Sequence, residues 1–205
     1  MMRTIYFGLL ILLSLSINAQ DLHSVNNAKG LPVGKQAPIF EALDADSNNF
    51  DLGATIKNSP VVIIFYRGFW CPVCNKHLSG IQDSLKMIEA MGVRVIAVSP
   101  EKPEFLGKMA EKSGAEFSLL YDEDYKIAAA YGVLYAPTKG QLFTYNAFLG
   151  GKLKKTHSDD SQQLPIPATY IINKEGVIVW RQFDPDYHNR SSVKDILSFF
   201  ENQNK

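Results

Sequence analysis

The chain has 205 residues, enough for one domain with short extensions, and its 46% share of hydrophobic residues allows a sizeable core. Lys plus Arg and Asp plus Glu number 21 each, so the net charge at pH 7 is zero. This balance argues against a nucleic-acid-binding protein and against binding to an anionic membrane surface.

The first 19 residues have the pattern of a secretory signal peptide. Arg3 precedes a mostly apolar run at 5–17, which is too short to span a bilayer comfortably, and Ala19 offers a small residue at the cleavage point. A retained anchor is the alternative. We therefore expect an exported protein, periplasmic or extracellular, without a stable membrane anchor after cleavage. A linker at 20–30 and one domain at 31–205 would follow.

The next segments alternate between predicted strands and helices. Two short edge strands, at 39–43 and 49–52, precede a continuously apolar central strand at 60–66. The pattern then predicts a helix over 71–90, a strand at 93–98, a helix with Pro100 in its first turn that runs to about residue 112, and a strand at 117–121. A short helix capped by Asp122 ends at Ala130.

The last third of the chain begins with a segment that shows no clear hydrophobic periodicity. Residues 136–166 are predicted as a long functional or mobile loop. A hairpin with strands at 168–172 and 176–181 and a closing helix over 192–201 complete the chain. This alternation predicts an α/β fold with a central mixed sheet flanked by helices and with N-terminal edge strands.

The two cysteines of the chain, Cys71 and Cys74, lie where the central strand runs into a helix. Pro72 suits the first helical turn, so Cys71 lies at the helix start, where backbone N–H groups and the helix dipole favour a thiolate. Arg67 favours it as well. A bridge that closes a four-residue ring stabilises a fold weakly. The spacing therefore predicts a reactive pair, in which one sulfur attacks and the other resolves the adduct.

The neighbours of the pair leave alternatives open. A closed metal site needs four ligands and only His77 is close, so no metal is expected and His77 is predicted as a surface helix residue. Trp70 is either part of the hydrophobic core or a side chain that shields the thiolate from water and offers a docking surface. Pro167 precedes a strand, where an ordinary trans bond and a constrained cis bond are both found.

The Trp-Cys-Pro-Val-Cys segment is accompanied by Gly34-Lys35-Gln36-Ala37-Pro38, Ser99-Pro100-Glu101, Tyr121-Asp122-Glu123-Asp124 and the run from Pro167 to Gly176. With these motifs, residues 31–202 resemble the peroxiredoxin-like branch of the thioredoxin-fold superfamily, the alkyl hydroperoxide reductase/thiol-specific antioxidant family. The resemblance implies a thioredoxin-like fold and a cis Pro167 that faces the sulfurs. The supporting residues that it implies around the two cysteines are Arg67, Trp70, Pro72, Pro167 and Thr169.

The site departs from the typical peroxiredoxin pattern Pro-x-x-x-Thr-x-x-Cys. In this alignment the peroxide-attacking cysteine falls on Cys74, the Thr on Cys71 and the Pro on Arg67, while the supporting Arg of the family falls on Pro167. The frame thus resembles a peroxiredoxin, and the cysteine pair resembles that of a thioredoxin.

Three functions remain open at this point. The first is an antioxidant thiol peroxidase that reduces hydrogen peroxide or organic hydroperoxides through the cysteine pair, with a thioredoxin-type dithiol donor and no cofactor. The second is an exported thiol–disulfide oxidoreductase in which Cys71 attacks a protein disulfide and Cys74 resolves it. The third is a non-catalytic binding module with an inert bridge. The frame as a whole favours the peroxidase.

Overall fold

The computed structural model of the protein describes residues 25–203. The predicted signal peptide and residues 20–24 of the predicted linker lie outside this range, so the export signal and the domain boundaries stay predictions. Within 25–203, no helix is both long enough and apolar enough to cross a membrane.

The strands form one central sheet and two small ribbons. In chain order they are β1 at Glu41–Leu43, β2 at Asn49–Asp51, β3 at Val61–Phe65, β4 at Arg94–Ser99, β5 at Ser118–Tyr121, β6 at Leu134–Tyr135, β7 at Leu164–Pro165, β8 at Ala168–Ile172 and β9 at Ile178–Phe183. The central sheet has the order β5-β4-β3-β8-β9. Strands β3, β4 and β5 are parallel, whereas β8 is antiparallel to both β3 and β9. The predicted mixed sheet is confirmed.

The helices cover both faces of this sheet. They are α1 at Leu52–Ile56, α2 at Pro72–Asp83, α3 at Leu85–Ala90, α4 at Pro103–Ser113, α5 at Lys126–Ala130, α6 at Lys139–Phe143, α7 at Leu153–Thr156 and α8 at Val193–Gln203. Side chains of β3 alternate between two hydrophobic clusters, one under α2, α3, α4 and α8 and the other under α1 and α5. Because both faces are covered, every residue of β3 is buried, as the continuous apolar run predicted.

The N-terminal strands and two helices differ from the expectation. Strands β1 and β2 pair with each other as a separate ribbon, which meets the edge strand β5 through a bridge between Asp44 and Leu120. The helix predicted over 71–90 is interrupted at Ser84, whose φ of −114° and ψ of 6° are not helical. The next helix begins at Pro103 and not near Pro100. Lys102 is extended, because a residue before proline disfavours the helical region.

The long loop predicted at 136–166 contains regular structure. Helix α6 begins with a capping box, in which the Thr138 side chain accepts from the backbone of Gln141 and the Gln141 side chain accepts from the backbone of Thr138. A π-helical turn at Thr144–Phe148 continues it, and α7 follows. Tyr145 of this insert, residues 136–157, contacts Trp70 and Arg67 next to the cysteines, so the insert forms one wall of the site.

Candidate active site

The two sulfurs lie at the start of α2, directly after a tight turn. The backbone N–H of Cys71 donates to the carbonyl of Gly68 at 3.1 Å. Cys71 is extended and is the N-cap residue, and its sulfur accepts from the backbone N–H of Cys74 at 3.3 Å. Pro72 occupies the first helical turn, as predicted. Both cysteines are free thiols and are 0% exposed, so the site is a buried dithiol.

Arg67 is a buried cation beside this dithiol. Its Nη2 donates to the Cys71 sulfur at 3.2 Å and its Nη1 donates to the Tyr145 hydroxyl at 3.1 Å. The guanidinium lies 3.9 Å from the ring centre of Tyr187 and 5.3 Å from that of Trp70. Among residues 25–203, no carboxylate forms an ion pair with Arg67. Burial alone lowers its pKa, but the neighbouring sulfurs of Cys71 and Cys74 raise the pKa above its ordinary value.

Arg190 supplies a second cation, beside Cys74. Its Nη2 donates to the Cys74 sulfur at 3.6 Å, and its Nε donates to the carbonyl of Tyr187 at 2.6 Å. The loop from Tyr187 to Arg190 therefore brings both an aromatic ring and a guanidinium to the site. The sulfurs are consequently flanked by two positive charges.

These contacts divide the acidity of the two thiols unequally. Burial by itself raises the pKa of Cys74, but the hydrogen bond from the Cys71 thiol and the charges of Arg190 and Arg67 lower it well below its ordinary value. The pKa of Cys71 is raised, because its hydrogen bond with Cys74 and its burial hold the proton. These directions favour the thiolate at Cys74, the position to which the peroxiredoxin pattern assigns the attacking cysteine.

A buried carboxyl group holds the turn that precedes the cysteines. Glu101 is 0% exposed, and its Oε2 accepts from the backbone N–H of Phe69 at 2.8 Å. Burial raises its pKa well above the usual range, which favours the neutral acid. A Cβ on Gly68 would lie 2.5 Å from both Glu101 Oε1 and Trp70 Nε1. Glycine is therefore required here, because the carboxyl and the indole both approach the backbone closely.

Trp70 and Thr169, both predicted as supporting residues, take different parts. Trp70 is 3% exposed and its ring centre lies 4.9 Å from that of Tyr145, so it is a wall of the site and not a docking surface. The Thr169 hydroxyl lies 2.8 Å from the hydroxyl of Ser191, which directly follows Arg190. Thr169 therefore anchors the loop that carries the second cation.

His77 is not the surface residue that the sequence predicted. Its Nε2 lies 3.0 Å from the carbonyl oxygen of Ser191, so the ring is partly buried between α2 and the loop that carries Arg190. Burial, together with the charge of Arg190, lowers its pKa to about 4. The ring is neutral at pH 7 and, with Thr169, positions that loop.

The expectation that Pro167 follows a cis bond is wrong. Within the described residues every peptide bond is trans, including the bond from Ile166 to Pro167. The Ile166 N–H is also not free for an extended partner, because it donates to the carbonyl of Val133 at 2.7 Å. The short pairing of β6 with β7 holds this segment instead, and Ile166 packs in the same cluster as both cysteines.

Several residues of the site were missed by sequence reasoning. Arg190 lies 116 residues after its partner Cys74. Tyr145 and Tyr187 lie 78 and 120 residues after their partner Arg67. At such separations no local sequence pattern marks these residues. Glu101 was noticed only as part of a motif and as the start of a helix. The segment Asp-Pro-Asp-Tyr, which ends at Tyr187, is the sequence signal for the loop that carries Tyr187 and Arg190.

Comparisons with known proteins place this chain in a family. Residues 33–181 match the AhpC/TSA family. A Mycobacterium tuberculosis protein named as a peroxiredoxin is 30% identical over 146 residues, covering 71% of this chain and 89% of the relative. Peroxiredoxin Q of Populus jackii is 28% identical over 198 residues, covering 94% and 82%.

A solved structure supports the same fold. Peroxidoxin BcpB from Mycobacterium tuberculosis superposes with a TM-score of 0.65 at 19% identity, covering 84% of this chain and 97% of that one. At this identity the likeness shows a shared thioredoxin-like fold. Because the family match spans well over half of the sequence, this chain belongs to the AhpC/TSA family.

Proposed function

We propose that this chain is an antioxidant thiol peroxidase, in which Cys74 attacks a hydroperoxide and Cys71 resolves the product. The observation that carries the proposal is the placement of two guanidinium groups beside a fully buried dithiol: Arg190 Nη2 lies 3.6 Å from the Cys74 sulfur, and Arg67 Nη2 lies 3.2 Å from the Cys71 sulfur. Membership of the AhpC/TSA family supports the same reaction.

The chemistry proceeds in three balanced steps. The Cys74 thiolate attacks one peroxide oxygen, the O–O bond breaks, and Cys74 becomes a sulfenic acid while the departing oxygen takes a proton and leaves as water or an alcohol. The Cys71 thiol then attacks the Cys74 sulfur, and water leaves as the disulfide forms. A dithiol donor finally reduces the disulfide, passing two electrons and two protons to the pair and becoming a disulfide itself.

The guanidinium groups have a second role in the first step. Arg190 Nη1 and Arg67 Nε are buried, and neither has a hydrogen-bond partner among the described residues. These N–H groups supply donors for a peroxide oxygen on which negative charge develops as the O–O bond breaks.

The donor and the location are also proposals. A thioredoxin-type protein is the donor proposed here, because a Cys-x-x-Cys disulfide at a helix start is a suitable partner for dithiol exchange. Export rests on residues 1–19, whose charged start, apolar run and Ala19 have the order of a signal peptide. A periplasmic or extracellular location would follow.

A second function, thiol–disulfide exchange with protein disulfides, is favoured by one observation. Cys71 occupies the N-cap position, where its sulfur accepts from the Cys74 N–H and from Arg67, as an attacking thiolate would. Against it, both sulfurs are 0% exposed. A protein disulfide cannot reach a buried sulfur without rearrangement, whereas a peroxide is small.

Two parallel assays on the purified protein separate these functions. The first measures hydrogen peroxide and cumene hydroperoxide consumption with dithiothreitol or thioredoxin as donor, and the second measures reduction of insulin disulfides. Peroxide turnover that far exceeds insulin reduction supports the peroxidase. Efficient insulin reduction without peroxide consumption would refute it and establish the second function.

A further inference from the structure

An exposed aromatic pair lies on the outside of the insert that forms one wall of the thiol site. Phe143 and Phe148 are 64% and 74% exposed, more than the other large exposed hydrophobic residues in the described range. Their ring centres are 5.6 Å apart in an edge-to-face arrangement. Two such rings in contact with water form an apolar patch that a partner can cover.

The π-helical turn explains why both rings share one side. Its i to i+5 hydrogen bonding is seen in the 3.1 Å bond from the Leu149 N–H to the Thr144 carbonyl. A five-residue repeat brings Phe143 and Phe148 to the same outer face and turns Tyr145 inward. Such turns occur frequently at functional sites.

The surroundings of the aromatic pair are strongly basic. Residues 136–157 contain four lysines and no Asp or Glu, although the whole chain has no net charge. The four lysines and Phe143 line an open groove of about 610 Å³, and Phe148 lies outside its lining. One carboxylate opposes them, since Lys154 pairs with exposed Asp160 at 3.6 Å. We call this surface the basic aromatic face, and it consists of Phe143, Phe148, Lys139, Lys152, Lys154 and Lys155.

The same helical segment connects this face to the sulfurs. Tyr145, between the two phenylalanines in sequence, accepts from Arg67 at 3.1 Å, and Arg67 in turn donates to the Cys71 sulfur. The outer face is therefore about one helix diameter, ~10 Å, from the site. A small molecule bound there would not contact the sulfurs, but a globular protein seated there would extend to them.

We propose that the basic aromatic face is the docking surface for the protein dithiol donor, an inference that rests on the proposed function. The contact surface of this donor carries acidic residues around an apolar side chain. Lysines around an apolar groove complement acidic residues around an apolar side chain. The connection of this face to the sulfurs through Tyr145 and Arg67 favours the donor of the disulfide over a lipid surface. Docking here orients the donor so that its thiolate attacks the Cys71–Cys74 disulfide after the rearrangement that exposes the buried sulfurs.

The test compares two triple variants with an acidic thioredoxin as the probe. The face variant carries Phe148→Ser, Lys139→Glu and Lys155→Glu. The matched control carries Met87→Ser, Lys57→Glu and Lys174→Glu, which remove one exposed hydrophobic side chain and reverse two exposed lysines elsewhere. Each protein is oxidised to the disulfide, and its reduction by reduced thioredoxin or by dithiothreitol is followed by tryptophan fluorescence.

The face variant is expected to react with thioredoxin at least about tenfold more slowly than the native protein, because it loses electrostatic steering and the apolar contact. Its rate with dithiothreitol, and both rates of the control, stay native. Salt should slow the native reaction with thioredoxin and leave that of the face variant nearly unchanged.

The inference is overturned if the face variant reacts with thioredoxin at the native rate, or loses its rate with dithiothreitol to the same extent. It is overturned also if thioredoxin does not reduce the native protein at all. Binding to phosphatidylglycerol vesicles or self-association that the face variant abolishes would identify a different occupant and likewise overturn it. None of these rates requires peroxide, so absent peroxide consumption by the native protein with dithiothreitol would refute the proposed function separately.

Discussion

Replacement of Arg190 by Gln removes the positive charge nearest to Cys74. The two atoms, Arg190 Nη2 and Cys74 Sγ, are 3.6 Å apart. Two unit charges at about 4 Å attract by roughly 1 kcal/mol in water and roughly 4 kcal/mol at an effective dielectric constant of 20. Arg190 is partly exposed, so we discount the larger value for screening and expect about 1.5–3 kcal/mol.

This energy corresponds to a rise of about one to two units in the pKa of Cys74, because one unit equals 1.36 kcal/mol. The sign is upward, since the lost cation stabilised only the thiolate. The assay is the pH dependence of iodoacetamide alkylation in a Cys71→Ser background, which isolates Cys74. Below the native pKa, the Gln variant should react about 10- to 100-fold more slowly.

Exposed Arg94, at the far end of β4, provides the control. Arg94→Gln should leave the alkylation profile of Cys74 unchanged. A midpoint for Arg190→Gln within about 0.3 units of the native one would refute the reasoning, because the cation would then contribute less than about 0.4 kcal/mol to the thiolate.

Three further changes test the supporting structure. Glu101→Gln keeps the acceptor for the Phe69 N–H and should change the free energy of unfolding at pH 7 by less than about 1 kcal/mol. Glu101→Ala removes the acceptor and should lower the free energy of unfolding, measured in urea, by about 2–3 kcal/mol. Equal losses for the two variants would contradict a neutral Glu101. Burial lowers the pKa of His157 to about 3. Because His157 therefore binds a proton more readily in the unfolded protein, it makes the native protein less stable as pH falls from about 6.5 to about 3. His157→Gln should reduce this loss of stability by on the order of 3 kcal/mol. An unchanged slope in pH-dependent urea unfolding would contradict it. Gly68→Ala forces a Cβ against Glu101 and Trp70. The variant should lose about 2 kcal/mol in the free energy of unfolding and should turn over peroxide more slowly. A variant with native stability would show that the turn accommodates a side chain.

The sequence predicted the parts of the fold that depend on local pattern. The uninterrupted apolar run at Val61–Phe65 predicted a strand buried on both faces, and helices do cover both faces of β3. Pro72 predicted a helix that starts just after Cys71. These features follow from hydrophobic periodicity and from the fixed φ of proline, which act over a few residues.

Two other local signals indicate helix starts that the predicted elements do not include. Pro103 marks the start of α4 more strongly than Pro100, because it forces Lys102 into an extended conformation. Thr138 and Gln141 have the spacing of a capping box, which would have indicated a helix inside the long predicted loop.

The electrostatics of the site could not be predicted in this way. Arg190 contacts a sulfur 116 positions earlier, and Glu101 is buried under a turn 32 positions earlier. Such contacts depend on how loops cross the end of the sheet, and neither periodicity nor capping encodes that path. The burial of His77 has the same origin, because its partner Ser191 lies in the loop that carries Arg190.

The proposed mechanism assigns the attack on the peroxide to Cys74 and the resolution of the sulfenic acid to Cys71. The most direct measurement is the stoichiometry of hydrogen peroxide consumed by reduced Cys71→Ser and Cys74→Ser proteins without a donor, together with the mass of the product trapped by dimedone. This assignment predicts that Cys71→Ser consumes about one peroxide per chain and is trapped as a sulfenic acid on Cys74, while Cys74→Ser consumes none. Consumption by Cys74→Ser with a sulfenic acid on Cys71, or equal consumption by both variants, would contradict it.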